Sequence, residues 1–233
     1  MAIITINAEL GTKGIFIAQK IAEKLSYLYF DHIIAEEIAE LLKINRIDVK
    51  SFEEEKHENL VATISKYFSL DLFSKKKEKL TEEEKEKKLY SRRIRDSYKH
   101  LLPYRMDSKG WIDSEIYKKM LYRVIGALAK AGDCIIVGRG GNIILKDEPA
   151  SLHLRFVASK DYRRKVLIEE KGVPEKEVDS LIEKIDKKSI SYNKYYFDFD
   201  VNDPHFYTMV INVEYFDDDN LVSLISNAVK FIK

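Results

Sequence analysis

Gly11, Thr12, Lys13 and Gly14 lie between an apolar run, Ile3–Asn7, and a stretch of helical period that begins at Gly14. Glycines, a hydroxyl and a lysine at a strand-to-helix turn are the residue types of an anion site, because backbone N–H groups and the positive end of a helix converge there. The glycines allow close backbone approach. Lys13 would act as a point charge on phosphate, and the Thr12 hydroxyl would touch phosphate or a Mg²⁺ ion. The chemistry would be the binding of a phosphate group, held by backbone amides and a lysine. The order Gly11-Thr12-Lys13-Gly14 departs from the phosphate-cradling pattern G-x-x-x-x-G-K-[ST]. Taken alone, these four residues read equally as a tight turn with a surface lysine.

Other candidates sit where apolar runs end. Asp31 closes the run Tyr27–Asp31, at the edge where ligands bind in open parallel sheets. There it would face a ligand, with His32 beside it, or cap the helix that starts near Ile33. Arg139 lies in the turn Gly138-Arg139-Gly140 after Cys134–Gly138, and its planar fork suits phosphate or a base. Asn142 is its companion, or the cap of a short helical turn through Leu145. Arg163, with Arg164 and Lys165, opens the helix after Leu152–Val157 and reads as a solvated basic cluster near the same sheet edge. Arg92, Arg93 and Arg95 fall in the long central stretch, where they read as surface cations that could reach a phosphate. Tyr192, Tyr195, Tyr196 and Phe197 either stack on a base or pack a helix.

The elements that must hold these residues are legible from periodicity. Five apolar runs read as strands: Ile3–Asn7, Tyr27–Asp31, Cys134–Gly138, Leu152–Val157 and Thr208–Asn212. They are near-continuously apolar, as strands covered by helices on both faces are. Helical stretches alternate with them. Gly14–Leu25 puts Ile17, Ile21 and Leu25 on one face; Ile33–Leu42 and Tyr117–Lys130 behave alike. Pro174 opens a helix to about Tyr196 with Glu175, Glu177 and Asp179 in its first turns. The last helix starts at Asp217–Asn220 and carries Leu221, Leu224, Ile225 and Val229 as a stripe. Alternating strand and helix predicts a doubly wound α/β fold with a five-stranded parallel sheet. Residues 43–114 break the rhythm and read as a helical insertion within one domain spanning 1–233. Within it, Lys75–Lys88 holds twelve charged residues out of fourteen, a solvated face.

Composition narrows the classes. Forty Lys and Arg against 39 Asp and Glu leave +1, so no global field draws the chain to nucleic acid or an anionic membrane, and any anion site is local. A single cysteine, Cys134, excludes an internal disulfide and reads as a small buried hydrophobe. The five histidines show no metal-ligand spacing. No 18-residue apolar run exists to span a membrane, and the short apolar start lacks a basic lead, so a cytoplasmic address is expected.

Several of these segments, read together, resemble the cytidylate kinase-like family of the P-loop nucleoside monophosphate kinases. The segments are Ile4–Ala18, Tyr29-Phe30-Asp31, Ile135–Leu145 with its Gly138-Arg139-Gly140-Gly141-Asn142 core, Ala158–Arg163, Asp186-Lys187 with Tyr195-Tyr196, and Asp203-Pro204, Tyr207 and Ile211-Asn212. The resemblance covers about residues 3–42 and 115–230. It implies a P-loop kinase-like fold, ATP and Mg²⁺ as cofactors, and transfer to a nucleoside monophosphate, CMP-like, or another small acceptor. It implies Gly11–Gly14 as the donor-phosphate cradle, Lys13 and Arg163 as catalytic cations, and Asp31, Arg139 and Asn142 on the acceptor side. Residues 43–114 would form the acceptor side, and 159–206 a helical lid carrying Asp186 and Lys187. No metal ligand is assigned beyond Thr12. The departures matter. Gly14 stands where ordinary P-loop kinases carry the loop lysine. Ile15 and Phe16 replace the hydroxyl that holds Mg²⁺. Ala8 and Ile15 replace family arginines, and Ser189 and Ser191 replace lid arginines. A catalytically impaired nucleotide-binding or regulatory protein on the same scaffold is therefore the alternative.

Overall fold

The computed structural model describes residues 2–31, 114–130 and 132–232. The expected helix Ile33–Leu42, most of the insertion with Lys75–Lys88 and Arg92, Arg93 and Arg95, and His32 lie outside them. The chain forms two compact units, residues 1–32 with 132–233, and residues 33–131.

In the first unit, five strands form one parallel sheet: β1 (Ile3–Ala8), β2 (Leu28–Phe30), β3 (Cys134–Val137), β4 (Ser151–Val157) and β5 (Met209–Asn212), in the order β2-β3-β1-β4-β5. The helices of this unit are α1 (Gly14–Leu25), α3 (Gly141–Ile144), α4 (Lys160–Glu169), α5 (Glu175–Phe197) and α6 (Asp218–Ala228). In the second unit, α2 (Ser114–Lys130) buries Tyr117, Leu121, Val124, Ile125 and Leu128, a stripe at helical spacing. Among the described residues no helix is long and apolar enough to cross a membrane.

The register explains how one sheet serves two purposes. Ile4 pairs with Ile135 and Leu152, and Ile6 with Val137 and Leu154. These residues, with Phe156 and Ile211, form one apolar face packed against Ile17 and Ile21 of α1 and Leu221, Val222 and Ile225 of α6. Side chains alternate along a strand, so the intervening residues share the other face. There Thr5 lies beside His153, and Asn7 beside Arg155. The expectation of near-continuously apolar strands fails in β4, which buries His153 and Arg155. Each is tolerated because a buried polar group needs a partner and each has one on β1. Thr5 Oγ1 is 2.8 Å from His153 Nδ1, and Arg155 Nη1 donates to Asn7 Oδ1.

Local signals set the helix ends. Ser159 caps α4 by accepting from Tyr162 N, and Asp217 caps α6 by accepting from Asn220 N. Pro174 stands as the cap of α5, one residue before its first turn. Asn142 is no cap: Gly140 occupies that place, and Asn142 is buried inside α3 with its Nδ2 donating to Phe206 O at 3.4 Å.

Candidate anion site at the strand-to-helix turns

At the carboxyl end of β1 the chain turns through Glu9–Lys13 and enters α1. Gly11 has φ 87°. A Cβ there would lie 2.8 Å from Arg163 O, so only glycine lets the loop press against the start of α4. Gly14 meets the end of β1 as tightly, since a Cβ would lie 2.3 Å from Ala8 Cβ. Thr12 is 1% exposed, and its hydroxyl donates to Glu9 O at 2.7 Å. The inside of the turn is thus filled by Thr12, whereas Ile15 and Phe16 are exposed on α1. Lys20 Nζ sits 5.0 Å over the Phe16 ring and pairs with Asp219 at the start of α6.

Helix α1 begins without a side-chain cap. Its first intrahelical bond runs from Ile17 N to Lys13 O, so the N–H groups of Gly14, Ile15 and Phe16 have no acceptor within the helix. They point along the axis toward the carboxyl edge of the sheet, the arrangement that attracts an anion.

The cations around this turn are held by carboxylates. Lys13 Nζ lies 2.7 Å from Glu170 Oε1, just past α4, and 3.6 Å from Asp218 Oδ2 on α6. The hydrogen bond with Glu170 holds the Lys13 ammonium above the ordinary lysine range. Arg163 is buried. Its Nε donates to Leu10 O at 2.6 Å, and its fork grips Asp186 of α5 at 3.0 and 2.7 Å. Lys187, the next residue, is exposed.

Glu9 and Arg155 are the partners that the reading of the sequence missed. Glu9 Oε1 lies 3.4 Å from Arg155 Nη2; its Oε2 lies 3.4 Å from Arg163 Nη1 and accepts from Ala158 N at 3.2 Å. Arg155 Nη2 also reaches Asn202 Oδ1 at 3.2 Å, while its buried Nε has no partner. One signal was available: Arg155 is the sole ionised residue of its strand, and a charge inside an apolar run calls for a partner.

The neighbouring turn follows β3. Gly138, Arg139 and Gly140 all have positive φ, at 74°, 57° and 68°. Gly138 N donates to Ile6 O at 2.9 Å, tying the turn to β1. A Cβ on Gly140 would fall 2.3 Å from the Phe197 ring. Phe197 ends α5 in a cluster with Tyr192, Tyr195 and Tyr196, so these aromatics pack against one another and Phe197 closes on the turn. Asp31 follows the strand on the far side of β3 and accepts from Tyr29 Oη at 2.7 Å. Burial first, and then Asp31, push the Tyr29 phenol up. The carboxyl ends of β1 and β3 thus bring the Gly11–Gly14 turn, Arg139 and Asn142 to one edge, with Asp31 at the end of the adjoining β2. Arg163 and Asp186 stand on the β4 side. Among the described residues no group of three or more His, Cys, Asp or Glu could hold a metal ion.

A family model described as the cytidylate kinase-like family matches residues 3–215. Among curated proteins none matches the chain. A solved structure titled as an uncharacterized protein from Eubacterium ventriosum ATCC 27560 is similar over 98% of both chains, at 18% identity and a TM-score of 0.57. Shikimate kinase from Bacteroides thetaiotaomicron aligns over 99% of both chains at 11% identity and a TM-score of 0.43. Deoxyadenosine kinase from M. mycoides with bound dATP aligns over 98% of both at 14% and 0.39.

Proposed function

Because the chain belongs to the cytidylate kinase-like family, we propose that it binds ATP at the turn between β1 and α1 and transfers a phosphoryl group to a nucleoside monophosphate, CMP-like, or another small acceptor. The observation that carries the reading is the uncapped start of α1, with Gly14, Ile15 and Phe16 N–H groups facing the carboxyl edge beside Arg163. These amides would take the donor phosphates, and the left-handed turn at Gly138–Gly140 would present Arg139 to the acceptor, with Asp31 and Asn142 nearby. Lys13 and Arg163 would neutralise charge during transfer. Mg²⁺ would supply further neutralisation, held mainly by the phosphates; Thr12 would reach it only by giving up its bond to Glu9 O. Such chemistry suits the cytoplasm, where ATP is abundant.

A second reading, a nucleotide-binding protein without turnover, draws support from the carboxylates that engage Lys13, Arg155 and Arg163. Incubation with ATP, Mg²⁺ and a panel of nucleoside monophosphates separates the two. ADP formation dependent on one acceptor is expected from the kinase. No turnover, with a melting temperature raised by ATP, establishes the binding protein. Neither signal removes both. For the kinase, Arg139→Ala should impair acceptor binding more than ATP binding; equal losses contradict that assignment.

A further inference from the structure

Arg163 is a buried cation that must always have an anionic partner. Its side chain is 6% exposed, and leaving a buried charge unpaired is strongly destabilising. Two carboxylates serve it. Glu9 is itself locked, accepting from Ala158 N and facing Arg155. Asp186 is the outer partner, with a 34% exposed side chain gripping the guanidinium fork at two points. A guanidinium offers the same two-point face to a carboxylate and to a phosphate. Arg163 also holds the loop itself, through Leu10 O and the close approach of its backbone to Gly11.

We propose that Asp186 is an internal stand-in for ligand phosphate: a polyphosphate that binds at the β1–α1 turn takes over the Arg163 fork from Asp186 and releases the middle of α5. This rests on the phosphate-site reading above and extends it to competition within the chain. Of the two carboxylates, the more exposed and less anchored one yields. The exchange favours ligands with dense negative charge, since a neutral nucleoside brings nothing to replace Asp186. It also makes α5, which seats Phe197 against Gly140, responsive to the contents of the first turn.

Calorimetric titration of wild type and Asp186→Asn with inorganic tripolyphosphate tests the exchange without a base. Asparagine keeps the shape and removes the competing charge, so affinity should tighten about fivefold. Unchanged or weaker binding by the variant, with wild type binding normally, overturns the exchange alone. Absence of binding by both proteins overturns the phosphate-site reading and the exchange with it. Hydrogen exchange on wild type gives a measure independent of the variant's folding. Amides around residues 182–190 should exchange faster with tripolyphosphate present, and slower or unchanged exchange overturns the release of α5.

Discussion

The turns after β1 and β3 do the same topological job and are held by different forces. Each leads from a parallel strand into a helix at the same edge, and the second is bonded to strand β1, which feeds the first, by Gly138 N and Ile6 O. The first is close-packed at Gly11 and Gly14 and is fixed besides by charge: Glu9 sits between Arg155 and Arg163, Asp186 grips Arg163, and Glu170 and Asp218 hold Lys13. The second is fixed by shape, with successive left-handed residues closed by the Phe197 ring. Charge pairs can trade partners when a ligand brings its own charge. A ring packed where a Cβ would go can only stay or leave. The first turn is thus suited to answering an anion, and the second to holding a fixed form.

The most severe way to break the contrast is Arg155→Met. It leaves Asn7 Oδ1 buried without its donor and Glu9 held only by Arg163 and Ala158 N, and unfolding free energy should drop by about 3 kcal/mol. Adding Glu9→Gln should return part of that loss in denaturant melts; a double variant no better than the sum of the two shows that the first turn is not governed by charge. Next is Gly140→Ala, which adds a methyl against Phe197 at a positive φ and should cost about 2–3 kcal/mol. Pairing it with Phe197→Ala should relieve the steric share, and purely additive losses refute control by shape.

A smaller effect comes from pH. Burial lowers the pKa of His153, so the unfolded chain binds its proton more readily than the fold does. Stability should be flat above the ordinary histidine value near 6.5 and fall as the pH drops below it. His153→Gln should flatten that acid limb, and an unchanged limb assigns it to other groups. The smallest effect on stability belongs to Lys13→Ala, under about 1 kcal/mol because the Lys13–Glu170 pair is partly exposed. Its polyphosphate affinity should nevertheless fall, and equal affinity by calorimetry removes Lys13 from the site.

How far each turn could be foreseen follows from the range of its interactions. Helix α1 runs Gly14–Leu25 as its periodicity predicts, and all five strands lie within a residue or two of the apolar runs. These are local signals, set by neighbours three or four residues away, or two along a strand. The glycines at 11, 14, 138 and 140 also mark the turns correctly. Charge partners are another matter. Arg155 and Glu9 are 146 residues apart in sequence, and Arg163 and Leu10 are separated by 153. No period or spacing encodes such pairings; they exist only once the sheet has set its register. The sequence therefore named Lys13, Arg163 and Asp186, but neither the pairing of Arg163 with Asp186 nor the holding carboxylates Glu9 and Glu170.

The sheet order has a further consequence, in the making of the protein. Strand β1 lies at the centre, hydrogen-bonded to β3 on one side and β4 on the other. Its partners begin at Cys134 and Ser151, so the Ile3–Ile6 segment emerges during translation long before either exists. At usual synthesis rates of 5–20 residues per second the wait is roughly 6–30 s. For that interval a nascent chain carries an unpaired, strongly β-prone segment, the kind of stretch that folding helpers shield from aggregation.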